Sequence, residues 1–257
     1  MKSITSRDNA FYKELKSLAT SSQARRKSAQ TILDGVHLCQ AYLEAVGQPQ
    51  YVIVNEAALQ NAEIANLLAN TSGQFSLSDA LYQSLSQVEN GVGIFFVVLI
   101  PVVNLPEKIL QTAVVLEGLQ DPGNLGSLLR SAAAAGIRQI FCSHETVSAW
   151  SPKVLRAGMG AHFLLEIYEN VDLPSLIARS TMSTLATSSH AQNTVYDCDL
   201  TQPVIWMFGH EGRGISDALM SHATEQVKIP HLGKIESLNV AACAAVCFFE
   251  QVRQYRD

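Results

Sequence analysis

The sequence predicts an α/β fold in two parts: a small α/β domain over residues 1–100 and, after a linker at 101–110, a mostly parallel sheet over 111–257 with helices on both faces. Three observations predict it. Short β-branched runs alternate with helical patterns along the second half. Val92–Ile100 (VGIFFVVLI) closes the first half as an apolar, aromatic-rich strand. Pro101 and Pro106 then bracket VVNL, which has the composition of a linker.

Each element has its own signal. Asp8 or Asn9 is placed to cap a helix running to about Leu18. Thr31–Leu33 is a short apolar run before Asp34-Gly35, and a helical pattern follows to Ala45, where Gly47 stops it. Tyr51–Val54 reads as a strand, Glu56–Leu68 and Asp79–Leu85 as helices. In the second half Ala113–Leu116 is a strand entering Glu117-Gly118. The loop LQDPGN leads to a helix over Leu125–Ala135, with Gly136 as its stop. Further strands fall at Gln139–Cys142, Leu164–Tyr168, Thr184–Ala186, Val204–Phe208 and Gln226–Ile229. A last helix starts at Ser237 or Leu238 and runs to Arg253.

Composition excludes several classes. The 257 residues are 47% apolar and 16% charged, ample for a core and unlike a disordered chain. No run of about 18 apolar residues suggests a membrane span, and the first residues lack the apolar stretch of a secretory signal. The five cysteines are scattered without a C-x-x-C pair, which argues against a disulfide framework or a zinc site and fits a cytoplasmic protein. The seven histidines show no metal-binding spacing, so no metal is expected. The net charge of −5 does not by itself point to nucleic acid, but it is unevenly spread. Seven of the 18 basic residues (Lys2, Arg7, Lys13, Lys16, Arg25, Arg26, Lys27) lie in the first 27, and none falls between 28 and 107. A basic arm on an acidic body can hold an anionic polymer locally; the plainer alternative is a solvated helix face.

Three loops concentrate the chemistry. In the first, Asp121-Pro122-Gly123-Asn124-Leu125-Gly126-Ser127-Leu128-Leu129-Arg130, Asn124 is a natural N-cap. Gly126 and Arg130 lie four apart, so a ligand has room beside the guanidinium; the plainer alternative is a capped helix with a surface arginine. This is neither a Walker loop nor a G-x-G-x-x-G fingerprint. The second loop, Phe208-Gly209-His210-Glu211-Gly212-Arg213-Gly214, follows an apolar strand, where ligands of open α/β sheets bind. The third, Ile229-Pro230-His231-Leu232-Gly233-Lys234-Ile235-Glu236-Ser237-Leu238-Asn239, ends at a helix that Ser237 can cap. Cys243 and Cys247, beyond it, read as core residues.

In this order and spacing, N-x-G-x-x-x-R at 124–130, F-G-H-E-G-x-G at 208–214 and I-P-x-x-G-x-x-E-S-L-N-V at 229–240 resemble the SpoU family of RNA ribose methyltransferases, within the SPOUT superfamily. The resemblance covers about 110–257. The first half resembles the family's accessory substrate-binding domain more faintly, through Ile4-Thr5-Ser6, Leu33-Asp34-Gly35 and Asn90-Gly91-Val92-Gly93-Ile94. The resemblance implies a deep C-terminal trefoil knot, which pattern reasoning alone would reject. It implies S-adenosylmethionine as cofactor, contacted at Gly209, Ile229 and Leu238 largely through backbone groups. It also implies a homodimer through the knotted domain, for which the Ala-rich last helix offers close packing, and an rRNA or tRNA substrate, with rRNA favoured by the added domain.

The catalytic residues implied are Arg130, with Asn124, Glu211, Ser237 and Asn239 around it. A ribose 2′-hydroxyl is a poor nucleophile and needs help losing its proton. The family pattern offers Arg130 as a base activated by the RNA phosphate. A guanidinium holds its proton tightly, so clamping the phosphate and orienting the hydroxyl is an equal reading. Phosphates would be met by the basic arm and by Arg130, Arg138, Lys153, Arg156, Arg213 and Lys234. His210 carries little weight in the resemblance. Two alternatives compete: a non-catalytic RNA-binding or assembly factor that keeps the fold, and a dinucleotide oxidoreductase, which lacks its G-x-G-x-x-G turn.

Overall fold

A computed structural model describes residues 1–86 and 93–256, the side chain of Arg256 excepted. The chain divides into two compact units, Met1–Val102 with Trp150–Phe163, and Val103–Ala149 with Leu164–Asp257. The segment Trp150–Phe163, expected within the second domain, therefore groups with the first.

The first unit runs β1 (Lys2–Ile4), α1 (Ala10–Thr20), α2 (Ser22–Ser28), β2 (Gln30–Asp34), α3 (Val36–Ala45), β3 (Tyr51–Asn55), α4 (Ala62–Ala69), β4 (Gln74–Leu77), α5 (Asp79–Gln83) and β5 (Ile94–Leu99). Its sheet has the order β1-β4-β3-β5-β2, parallel through β1, β4 and β3 and antiparallel at β5. Asn9 caps α1, its side chain accepting from Phe11 N and Tyr12 N. Tyr12, Leu15, Leu18 and Ala19 then share a face that packs on Ile53, Phe95 and Val97. The helix expected over 56–68 is two pieces, a 3-10 turn at Glu56–Gln60 and α4, divided where Asn61 caps α4. Of the expected strand Val92–Ile100, Val92 lies outside the described residues, as do Asn90 and Gly91. Arg25 is not part of an exposed basic arm: it is buried, and its Nη1 donates to Leu18 O at 2.8 Å.

The second unit runs β6 (Ala113–Leu116), α6 (Pro122–Ala134) and β7 (Gln139–Cys142). After α7 (Pro152–Gly158), which belongs to the first unit and packs on β2 there, come β8 (Glu166–Tyr168), α8 (Leu173–Ile177), β9 (Ser183–Thr187), β10 (Asn193–Thr194), β11 (Val204–Phe208), α9 (Asp217–Met220), β12 (Glu225–Lys228) and α10 (Val240–Arg256). All seven strands pair in parallel, in the order β10-β12-β9-β11-β6-β7-β8. β6 and β11 are buried along their whole length, as central parallel strands must be when both faces are covered.

The order of strands sets the position of the site. From β6 the chain steps outward to β7 and β8, then returns to build β9, β11 and β12 on the other side. The switch point lies between β6 and β11, whose carboxyl ends are joined where Glu117 N donates to Phe208 O at 2.9 Å. α10 packs on α6, and its Ala241, Ala244, Phe248 and Gln251 are spaced to form one buried stripe, with the Phe248 ring against Trp206 and Phe208 of β11. Gln251 is buried with its amide oxygen 2.9 Å from the Trp206 indole nitrogen, which satisfies both polar groups. Two of the four alanines of α10, Ala241 and Ala244, are thus buried within the chain.

Candidate active site

The loop after β6 begins the site. Asp121, not Asn124, is the N-cap of α6: its Oδ1 accepts from Asn124 N at 2.7 Å, and Pro122 takes the first helical position, where no N–H is needed. The helix therefore starts three residues earlier than expected, and this frees the Asn124 side chain. The Glu211 carboxylate, carried on the loop after β11, accepts from Gln120 N at 3.2 Å, Asp121 N at 3.1 Å and Asn124 Nδ2 at 3.2 Å. Asn124 Oδ1 in turn accepts from Asn239 Nδ2 at 2.7 Å. Asn239 Oδ1 accepts from Ala241 N and Ala242 N at 2.9 and 3.2 Å, so Asn239, and not Ser237, caps α10.

These bonds form a chain with one polarity. A carboxylate only accepts, so Asn124 must turn its NH₂ to Glu211 and its oxygen to Asn239. The first turn of a helix only donates, so Asn239 must turn its oxygen to α10 and its NH₂ to Asn124. The three motif loops are thereby joined, and each amide has one orientation. Burial works to raise the pKa of Glu211. The N–H groups of Glu211, Asp121 and Gln120 and the Asn124 amide outweigh it and hold the carboxyl below its usual range.

Arg130 lies on the exposed face of α6 and makes no hydrogen bond or ion pair with the described residues. Gly126 does not open space beside it, because Gly126 is buried. The exposed neighbours of Arg130 are instead Gly123, Ser127 and Ala134, all small. Helical geometry puts Arg130 about 9 Å along the axis from Asn124 and about a third of a turn around it. Residues 229–238, with exposed Ser237 and half-buried Ile229 and Leu238, likewise make no hydrogen bond with the described residues. Gly209 closes β11, and a Cβ there would lie 2.2 Å from Gly214 C, so only glycine fits. The structure thus brings together Asn124, Glu211 and Asn239. It gives Arg130, Ser237, Ile229 and Leu238 no bond to them.

Several residues that sequence reasoning passed over shape the same loops. Glu117, at the end of β6, accepts from Ser216 N and Ser216 Oγ, both at 2.7 Å, and so pins the start of α9. The Gln120 amide donates to Gly118 O and Glu145 O at 3.1 and 2.6 Å. Arg213 pairs with Glu145 at 3.4 Å, with both side chains more than 60% exposed, an arrangement of small energetic weight. The signal for Glu117 was its place at a strand end beside a glycine. Nothing in the sequence marked Glu145.

The implied cofactor can be tested against these groups. Its adenosine needs apolar contact beside open backbone donors and acceptors. Ile229 and Leu238 supply half-buried apolar side chains, and the backbone between them makes no hydrogen bond with the described residues. Gly209 removes the one Cβ that would spread the neighbouring turn. The residues present fit the group.

A parallel sheet whose switch point gathers a fixed carboxylate and two oriented amides, beside a helix carrying an arginine unbonded among the described residues, has the form of an α/β enzyme site for a nucleotide-like ligand. A family model for the SpoU rRNA methylase family matches residues 111–249. An uncharacterised tRNA/rRNA methyltransferase of Synechocystis sp. is 32% identical over 258 residues, covering 98% of this chain and 94% of that one. The 23S rRNA (guanosine(2553)-2′-O)-methyltransferase of Bacillus subtilis is 27% identical, covering 97% and 98%. Among solved structures, an RNA 2′-O ribose methyltransferase matches with a TM-score of 0.85 at 29% identity, over 99% of this chain and 100% of that one. The SpoU methyltransferase AviRb of Streptomyces viridochromogenes, solved with AdoMet, shares the fold at a TM-score of 0.87 and 24% identity, over 97% and 99%. The chain belongs to the SpoU rRNA methylase family.

Proposed function

We propose that the chain transfers a methyl group from S-adenosylmethionine to a ribose 2′-hydroxyl of RNA, with ribosomal RNA as the substrate class. The observation that carries this is the hydrogen-bonded union of all three motif loops through Glu211, Asn124 and Asn239, beside Arg130, which lies on the same helix as Asn124 and is unbonded among the described residues. S-adenosylmethionine supplies the methyl on a sulfonium, so much of the remaining task is positioning.

The residues divide that task. Glu211 is ionised at neutral pH and already saturated with donors, so it builds the frame rather than taking the proton of the hydroxyl. Asn124 and Asn239 hold the first and third loops to it. Arg130 clamps an RNA phosphate with its planar fork and orients the adjoining ribose hydroxyl. The exposed Ser237 hydroxyl and the open backbone at Ile229 and Leu238, with Gly209, take the ribose and the cofactor. In the first unit Lys2, Arg7, Lys13, Lys16, Arg26 and Lys27 provide the RNA contacts, and Arg25 is excluded by its burial.

The reading includes the trefoil knot, supported by the return of the chain after β12 to α6, where Asn239 bonds Asn124. It includes a homodimer, supported by Ala242, Val246 and Phe249 on the outer face of α10, where Phe249 is 48% exposed. It also places the protein in the cytoplasm: all five cysteines are unpaired, and no described helix is long and apolar enough to cross a membrane.

The test is incubation with radiolabelled S-adenosylmethionine and total RNA that lacks its modifications, beside Arg130→Ala. Label in ribosomal RNA that is recovered after alkaline hydrolysis in dinucleotides, whose linkage a 2′-O-methyl protects, and that disappears in the variant, is the expected result. Cofactor binding with no RNA labelled would replace the enzyme with a binding or assembly factor.

A further inference from the structure

His210, between Gly209 and Glu211, has its imidazole turned back into its own loop. Its Nδ1 accepts from Gly212 N at 2.9 Å and Arg213 N at 3.3 Å. Its backbone pairs in both directions with Gly214, His210 N to Gly214 O at 3.0 Å and Gly214 N to His210 O at 2.8 Å. The turn is thus closed twice, by the main chain at its base and by the ring across its tip.

We propose that His210 is a positioning residue: its Nδ1 gathers the Gly212 and Arg213 amides and so aims Glu211, at the tip of the turn, onto Gln120, Asp121 and Asn124. Two consequences are chemical. A ring nitrogen that accepts from two N–H groups carries no proton, so the neutral ring holds its proton on Nε2. The position also needs an acceptor at that distance from the backbone rather than an aromatic ring as such. The asparagine Oδ1 lies one bond farther along the side chain than Cγ, as Nδ1 does, and can take its place, whereas phenylalanine keeps the ring and loses the acceptor. The proposal deepens the methyltransferase reading, because a misdirected Glu211 would release Asn124 and Asn239. Its primary readouts do not depend on that reading.

The experiment compares wild type, His210→Phe and His210→Asn in the full-length chain. The first readout is the ¹⁵N shift of the His210 ring, expected to show an unprotonated Nδ1; a ring protonated there overturns the proposal. The second is amide exchange at Gly212 and Arg213. His210→Phe is expected to speed it about tenfold, the size one or two net hydrogen bonds carry, with His210→Asn within about threefold of wild type. The third is S-adenosylmethionine affinity, expected to weaken about tenfold in the Phe variant and to recover in the Asn variant. Unchanged exchange or affinity in His210→Phe, or an Asn variant as impaired as Phe, overturns it. Should wild type bind no cofactor and label no RNA, the functional reading fails, while the ring shift and the exchange rates still decide the role of His210.

Discussion

The loop after β11 and the loop after β12 both follow strands of the same sheet, both are largely exposed, and both are named by sequence pattern, yet they are built in opposite ways. Residues 208–216 make many of their hydrogen bonds within the protein. Glu211 reaches three donors of the first motif, His210 collects two amides, and Ser216 is held by Glu117. Residues 229–238 bond to nothing among the described residues. A loop of the first kind holds its shape before any ligand arrives; one of the second kind has its donors and acceptors available to a ligand. Arg130 belongs with the second kind and Asn124 with the first, although both sit on α6.

The sharpest way to break this comparison is Arg130→Ala. An exposed side chain with no partner among the described residues contributes little to stability, so the melting temperature should stay within about 1 °C, while methyl transfer falls by about 10²- to 10³-fold. A fall in stability as large as the fall in activity would move Arg130 into the frame. Next is Gly209→Ala. The added Cβ meets Gly214 backbone at 2.2 Å, and the forced shift should cost about 1–3 kcal/mol. Calorimetry would show this as a lower melting temperature together with lost cofactor binding.

A double-mutant cycle on Asn124→Ala and Asn239→Ala sharpens the description of the frame. Their bond should appear as a coupling of about 0.5–1.5 kcal/mol in denaturant unfolding. Independent effects would mean the amides are not joined. The pH dependence of Glu211 follows from the direction of its shift. Its folded pKa is depressed, so its stabilisation is fully present above the unfolded value of about 4.3 and is lost as pH falls through the folded value below it. The difference in melting temperature between wild type and Glu211→Gln should therefore be constant near neutrality and close below about pH 4. The smallest effect is expected for Ser237→Ala on stability, within about 0.5 kcal/mol, because no bond is lost; Asn239→Ala, which removes the true cap, should cost about 1 kcal/mol.

Much of this was legible in the sequence. The strand–helix alternation gave a parallel sheet, and the central strands over 113–116 and 204–208 were read to the residue, because β-branched runs bounded by glycine leave little choice. The three motifs were found because their order is specific. What was missed depended on competition between neighbours. Asp121 and Asn124 are both good caps, as are Ser237 and Asn239, and composition cannot say which one the helix uses. In each pair the distribution of roles sets the site: Asp121 caps so that Asn124 can bridge, and Asn239 does both at once. Arg25 looked like part of a basic arm because burial of a charged side chain depends on a carbonyl, Leu18 O, that no local pattern marks. The grouping of Trp150–Phe163 with the first unit is a long-range choice, made by contacts such as Thr31 Oγ1 donating to Trp150 O at 2.7 Å and the Phe163 ring against Tyr42.

The central claim is a preformed frame beside a ligand-dependent loop, and amide exchange with and without S-adenosylmethionine tests it directly. The account predicts that amides of 209–216 are already protected in the free protein and change little, while those of 231–238 exchange fast and slow markedly when the cofactor binds. Protection gained equally in both loops, or in 209–216 alone, would contradict it.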